Sequence, residues 1–97
     1  MRATRNENAD VARVLRDIAA LLKVRRGNNF KIRAYEGAAR SIEGLTESLE
    51  QLVREDRVKE IPGVGEAINK KIIEMVSTGR LEYYEKLKAE PTEAQNA

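Results

Sequence analysis

The sequence predicts an all-α domain, a compact bundle of four to five short helices, and three observations carry that prediction. Apolar residues recur at spacings of three and four along most of the chain, no segment alternates with the period of two that marks a half-buried strand, and glycines and capping residues punctuate the apolar runs at short intervals. The 97 residues fit one domain with a modest core. Apolar residues make up 41% and charged residues 35%, a mixture that suits a small helical domain better than a disordered chain.

The first helix is predicted from Val11, Val14, Leu15, Ile18, Leu21 and Leu22, which follow the i, i+3, i+4, i+7 pattern. Asn8 or Asp10 can cap its start, and Gly27 in "RRGNN" ends it or the loop after it. A second helix carries Ile32, Tyr35, Ala39 and Ile42, with Asn28 or Asn29 as cap and Gly44 as stop. A third opens at Thr46 and buries Leu49, Leu52 and Val53. A turn over residues 56–60 leads into Pro-Gly-Val-Gly. The fourth helix runs from about Glu66 to Thr78, with Ile68, Ile72, Met75 and Val76 inward and Gly79 just past its end. A short fifth helix carries Leu81, Tyr84 and Leu87. One domain over residues 8–89 is expected, with flexible tails at 1–7 and 90–97 that have little to bury.

Composition narrows the chemistry. With no cysteine, disulfides and Cys-ligated zinc are excluded, and with no histidine the commonest general base and metal ligand are missing. Any reaction must use Lys, Asp, Glu, Tyr, Ser or Thr. No stretch approaches the ~20 apolar residues of a membrane span, and the polar start "MRATRNENAD" is unlike a secretory signal, so an intracellular protein with no membrane partner is expected. Net charge is only +2, but its distribution is uneven. Between residues 23 and 40, Lys23, Arg25, Arg26, Lys31, Arg33 and Arg40 face the single acid Glu36. Between residues 43 and 66, acids outnumber Arg54, Arg57 and Lys59. One end of the domain is therefore expected to offer a basic surface suited to phosphates, unless these charges are an ordinary solvated face.

The most informative stretch is "EIPGVGEAINKKI", Glu60 to Ile72. Gly63 and Gly65 flank one apolar residue directly after Pro62. Glycine permits positive φ and close backbone approach, and free N–H groups at the start of the following helix can receive a phosphate. A tight turn between two packed helices would use the same residues.

The wider context distinguishes these readings. Ile61, Pro62, Gly63, Val64, Gly65 and Ile68 match the pattern of the helix-hairpin-helix motif, which the stretch "VKEIPGVGEAINKKIIEMVSTGRL" resembles. Preceded by "NNFKIRAYEGAARSIEGL" and followed by "STGRLEYYEKLKAE", it looks like the amino-terminal domain of family X, polymerase beta-like DNA polymerases, over about residues 8 to 90. In full polymerases a nucleotidyltransferase domain with magnesium-binding aspartates follows. These 97 residues hold none, so polymerisation by them alone is not expected.

The resemblance implies a 5′-deoxyribose-phosphate lyase in base excision or gap repair, acting on gapped, nicked or abasic DNA. Its nucleophilic lysine corresponds to Lys71, which would attack C1′ of the open-chain sugar, form a Schiff base and lead to β-elimination at C3′. Helix geometry separates the two lysines independently. At about 100° per residue, Lys70 projects away from the buried stripe, whereas Lys71 lies at its edge, as a catalytic amine or as a snorkelling helix-edge lysine. An unperturbed lysine is neutral in only about 1 molecule in 2,500 at pH 7. Partial burial and the cations Lys31 and Arg33 would favour the neutral amine while also gripping a 5′-phosphate near the start of the second helix. The ring of Tyr35 is expected in the core with its hydroxyl reaching the pocket, where it would join Lys31 and Arg33 in binding the 5′-phosphate. Phe30 is read either as a base-stacking residue or as a hydrophobic staple. Gly63, Val64, Gly65 and Lys70 would follow the DNA backbone.

The chain departs from the family at Ala67 and Tyr83, where vertebrate lyase members carry pocket lysines, and at Lys70, which stands where an acid precedes the nucleophile. The resemblance requires no cofactor, but implies that a Na+ or K+ ion can sit on the carbonyls of Lys59, Ile61 and Val64. The alternative function is a non-catalytic DNA-binding module that directs a polymerase, ligase or nuclease to damage.

Overall fold

The computed structural model describes residues 7–90. Among them the chain forms five α-helices and no strand: α1 (Glu7–Val24), α2 (Asn29–Glu43), α3 (Leu49–Arg54), α4 (Glu66–Thr78) and α5 (Glu82–Ala89), with a single 3-10 turn at Val58–Glu60. No described helix is long and apolar enough to cross a membrane. Residues 1–6 and 91–97 of the expected tails lie outside the described residues. Glu7 opens α1, and the Glu90 N–H bonds back to the Lys86 carbonyl.

The antiparallel pair α1 and α2 forms the largest interface. Its large apolar residues are those the periodicity picks out, Leu15, Ile18, Leu22, Ile32 and Ile42. Between them lie Ala12, Ala19, Ala38 and Ala39, all at 0–1% exposure. These small side chains let the helices close to packing distance. Val14 and Leu21 are only half-buried, because the alanines turn the buried stripe slightly away from them.

Asn28 caps α2 and its side chain accepts from Phe30 N at 2.7 Å and Lys31 N at 3.3 Å. Gly79 ends α4 with φ +78°, the left-handed conformation that favours glycine there. Two expected helix starts are corrected. The third helix opens at Leu49 with Ser48 as cap, not at Thr46. Asn8 and Asp10 lie inside the first turn of α1 rather than before it. Asn8 instead serves another helix: its Oδ1 accepts from Leu49 N at 2.9 Å and its Nδ2 donates to the Glu47 carbonyl at 2.8 Å. One amide thereby satisfies the entry of α3 from forty residues away in the chain.

Helix α5 is strapped at two points, once to α1 and once to the turn that follows it. The Tyr84 hydroxyl donates to Asp17 at 2.7 Å. Arg25 donates to the carbonyls of Leu87 and Glu90, both at 2.8 Å, and pairs with the Glu90 carboxylate at 3.0 Å. Those carbonyls are orphans of a helix C-terminus, so Arg25 acts as a cap supplied from the turn after α1.

Replacing Asn8→Ala removes both bonds to the α3 entry and is expected to lower unfolding free energy by about 1 kcal/mol. An unchanged urea midpoint would show instead that water satisfies Leu49 N–H equally well.

Candidate nucleic-acid interface

The hairpin between the 3-10 turn and α4 is pegged by three apolar side chains. Val58, Ile61 and Val64 are 2%, 3% and 8% exposed, while Lys59, Glu60, Pro62, Gly63 and Gly65 are exposed. The pegs turn the intervening backbone outward, and a 3.1 Å bond from Val64 N to the Ile61 carbonyl closes the turn.

Its two glycines do different work. Gly63 has φ +85°, and a Cβ there would stand 3.7 Å from the backbone of Gly37 and Ala38 in α2. That separation is ordinary contact, so the requirement for glycine comes from the left-handed conformation. Gly65 has φ −92° and ψ −172°, extended backbone open to any residue, and a Cβ there would meet nothing within 4 Å. The fold does not need glycine at 65. What its bare Cα leaves open is the approach to the N-terminus of α4, where the first N–H groups have no intrahelical acceptor and no side chain caps them.

That opening belongs to a cleft of about 440 Å³. Lys31 and Tyr35 enter it from α2, Gly63 and Gly65 from the hairpin, and Lys71 from α4. Tyr83 of α5 completes the wall, with the Lys71 Nζ 4.6 Å from the centre of its ring. Lys71 is half-buried and Lys70 exposed. Burial, and then the positive charge of Lys31, hold the Lys71 amine below the ordinary lysine range, while Glu74 opposes the shift. Tyr35 is buried, and burial together with the neighbouring Tyr83 pushes its phenol well above the ordinary value, so it stays protonated at neutral pH.

Not every residue singled out in the sequence enters this cleft. Arg33 lies on the exposed face of α2 and is not among the charges acting on Lys71. Phe30 is 82% exposed, which rules out the staple alternative. Lys70 lines a neighbouring depression with Lys71, Glu74 and Lys86. Ile61 and Val64 turn their side chains inward. Tyr83 is the residue that sequence reasoning undervalued: it registered as a departure from a family pattern, and nothing local ties it to a lysine on a different helix.

The expected basic surface is narrower than the charge count suggests. Lys23 pairs with Glu36 at 2.8 Å, Arg25 is committed to Glu90, and Arg40 lies in the field of Glu36 and Glu43. On the acidic side Arg16 holds Glu43, while Arg57 bridges Glu47, Glu55 and Glu60. Among the described residues Arg26, Lys31, Arg33, Lys59, Lys70 and Lys71 form no salt bridge. Lys31 and Lys71, the two cations of the cleft, are among those without an ion-pair partner. No group of three or more Asp and Glu among the described residues could hold a metal ion.

The two glycines separate in mutagenesis. Gly63→Ala is expected to cost about 1–2 kcal/mol of stability, the strain of a left-handed Cβ. Gly65→Ala is expected to cost only about 0.5 kcal/mol, the difference between the two residues as helix caps. Its Cβ would nevertheless stand in the open space before the α4 N-terminus, so affinity for DNA should fall more than for Gly63→Ala at a temperature where both are folded. Equal affinity of Gly65→Ala and wild type would remove the α4 N-terminus from the interface.

Comparison with known proteins agrees with this geometry. No curated protein matches the chain. The family model of a helix-hairpin-helix domain matches residues 6–81, taking in the pegged hairpin, α4 and the α1–α2 pair against which they rest. With most of its length matched, the chain belongs to the helix-hairpin-helix domain family, whose members bind DNA.

Proposed function

We propose that this domain binds gapped or nicked DNA at a 5′-phosphate and removes a 5′-deoxyribose phosphate as a lyase, in base excision or gap repair. The observation that carries the reading is the juxtaposition, in one cleft, of an uncapped helix N-terminus and a half-buried lysine shifted toward its neutral form. The likeness to the amino-terminal domain of polymerase beta-like enzymes supports it from the sequence side.

In this reading the N–H groups of α4 and the Lys31 ammonium receive the phosphate. Arg33 meets the strand outside the cleft, Lys70 follows the backbone beyond the hairpin, and Phe30 stacks on an exposed base. The neutral Lys71 amine adds to the C1′ aldehyde and water leaves, giving a protonated Schiff base. Loss of a C2′ proton sends its electron pair toward C3′, the C3′–O bond breaks, and the downstream strand departs with a 5′-phosphate. Hydrolysis of the remaining imine returns the free amine. Tyr35, protonated, can donate to an oxygen of the sugar or phosphate. A Na+ or K+ ion would be held by the carbonyls of Lys59, Ile61 and Val64, whose acceptor capacity supports this: among the described residues no loop backbone bond ends on Lys59 or Val64, and the Ile61 oxygen, which accepts from Val64 N, keeps a second lone pair. Bound there, the ion would supply positive charge toward a DNA phosphate.

The contact of Lys71 with Tyr83 favours a second reading, because an aromatic face stabilises an ammonium and an ammonium contacts phosphate. The domain would then be a non-catalytic module that brings a polymerase, ligase or nuclease to damaged DNA.

Borohydride trapping on DNA bearing a 5′-deoxyribose phosphate decides between them. A covalent adduct with wild type, absent from Lys71→Ala, is expected for the lyase. No adduct with binding intact leaves the module, and an adduct that survives in the variant assigns the chemistry to another lysine, with Lys31 and Lys70 next to be tested. Trapping should strengthen as pH rises toward the depressed Lys71 pKa, since deprotonation supplies the nucleophile. Both readings expect salt-sensitive affinity, and Lys31→Gln should reduce the log–log salt slope by about one counterion. An unchanged slope would place Lys31 off the phosphate.

A further inference from the structure

Tyr83 occupies a place that neither the hairpin nor the fold explains by itself. It stands with Lys71 on the ridge between two depressions, the cleft under the hairpin, of about 440 Å³, and a second one of about 350 Å³. The second depression contains Glu74, three residues after Lys71 and therefore on the neighbouring position of the same helix face. A lysine stem with four rotatable bonds can reach either way. Left to itself the amine has a carboxylate to pair with on the far side, yet no Lys71–Glu74 salt bridge forms among the described residues. Its Nζ rests instead over the Tyr83 ring.

The ring is held firmly. Gly79 turns the chain sharply after α4, and Leu81, 3% exposed, anchors the start of α5 in the core. Glu74 caps that start, its Oε2 accepting from Glu82 N at 2.9 Å, which also draws the carboxylate away from Lys71. The Tyr83 hydroxyl lies beside that of Tyr35, and the Tyr83 side chain packs against the edge of the core.

The charges around the amine are then Lys31 from α2, Glu66, Lys70 and Glu74 from α4, and Glu82 and Lys86 from α5, with the phenols of Tyr35 and Tyr83. Burial and Lys31 draw the amine toward its neutral form and Glu74 acts against them. An amine that turned to Glu74 would be lost to the cleft as an ordinary helix ion pair.

We infer that Tyr83 is the positioning residue for Lys71, its ring face holding the amine at the hairpin cleft and away from Glu74. The inference rests on the reading of Lys71 as the reactive amine, but the contact itself can be observed without DNA. The face of the ring is the working part, so Tyr83→Phe retains it, whereas Tyr83→Leu keeps apolar cover and removes it.

The experiment is a two-readout comparison of wild type, Tyr83→Phe and Tyr83→Leu, each first shown to be folded by its thermal transition. In protein labelled with 13C-lysine, the Lys71 ε-methylene protons, assigned by their absence in Lys71→Ala, should lie upfield of the other lysines through the ring current. That shift should persist in Tyr83→Phe and vanish in Tyr83→Leu. The single-turnover trapping rate on 5′-deoxyribose-phosphate DNA should be retained in Tyr83→Phe and fall about 2- to 5-fold in Tyr83→Leu, because the ring face that keeps the resting ammonium from Glu74 also faces the cationic Schiff base formed in its place. Adding Glu74→Gln to Tyr83→Leu should recover part of the rate. An upfield shift missing from wild type, or surviving in Tyr83→Leu, overturns the positioning role. A trapping rate that falls equally in Tyr83→Phe and Tyr83→Leu assigns the effect to the hydroxyl and overturns it too. The ring-current pattern as expected, with no trapping in any variant, supports the positioning of the amine and overturns the lyase reading alone.

Discussion

Val58, Ile61 and Val64 drive their side chains into the core while the backbone between them stays at the surface, and the site depends on that arrangement. Burying three such side chains contributes roughly 1.5–3 kcal/mol each relative to exposure. That is enough to fix the hairpin with Gly63 in the left-handed conformation, which glycine adopts without the strain a Cβ would bring. The pegs also set where α4 begins. Its uncapped N-terminus, its first-turn N–H groups and, a turn and a half later, Lys71 all follow from the point at which Val64 enters the core. A phosphate site and a nearby amine are thus consequences of loop anchoring rather than separate inventions.

The second organising feature is the allocation of charge. Exposed ion pairs contribute little to stability individually, so the pairs of Arg16, Arg57 and Arg80 are informative chiefly for what they leave over. They hold Glu43, Glu47, Glu55, Glu60 and Glu85, while Lys31 and Lys71 in the cleft, Lys59 in the hairpin and Lys70 in the neighbouring depression form no salt bridge among the described residues. A chain of net charge +2 can in this way present a locally positive surface to a polyanion. Arg25 shows why counting cations misleads: within the most basic stretch of the sequence, it is spent on the C-terminus of α5.

Much of the fold was legible because its causes are local. The apolar spacing of α1 and α4, the Asn28 cap and the Gly79 stop each act within a turn or two of the residues they organise. The same locality separated Lys70 from Lys71, since 100° of rotation places one outside and the other at the edge of the buried stripe. The alanines of the α1–α2 interface were harder to read, because a small side chain carries little signal in a hydrophobic pattern although it decides how closely two helices approach. The different demands on Gly63 and Gly65 were equally hidden, since a Gly-x-Gly string does not state which φ it adopts or what a Cβ would meet.

By itself, then, the sequence determined the all-α class, most of the helix boundaries, the hairpin and the helix that carries two lysines. The tertiary structure alone decided that Asn8 caps α3, that Arg25 caps α5, that Arg33 stands outside the cleft while Lys31 lies in it, and that Tyr83 covers Lys71. The physical reason is the same in each case. Periodicity and capping report forces exerted between residues a few positions apart, whereas these contacts join different helices at separations fixed only when the core packs. The environment of an amine, its burial, its cationic neighbour and the ring beneath it, exists only after that packing is complete.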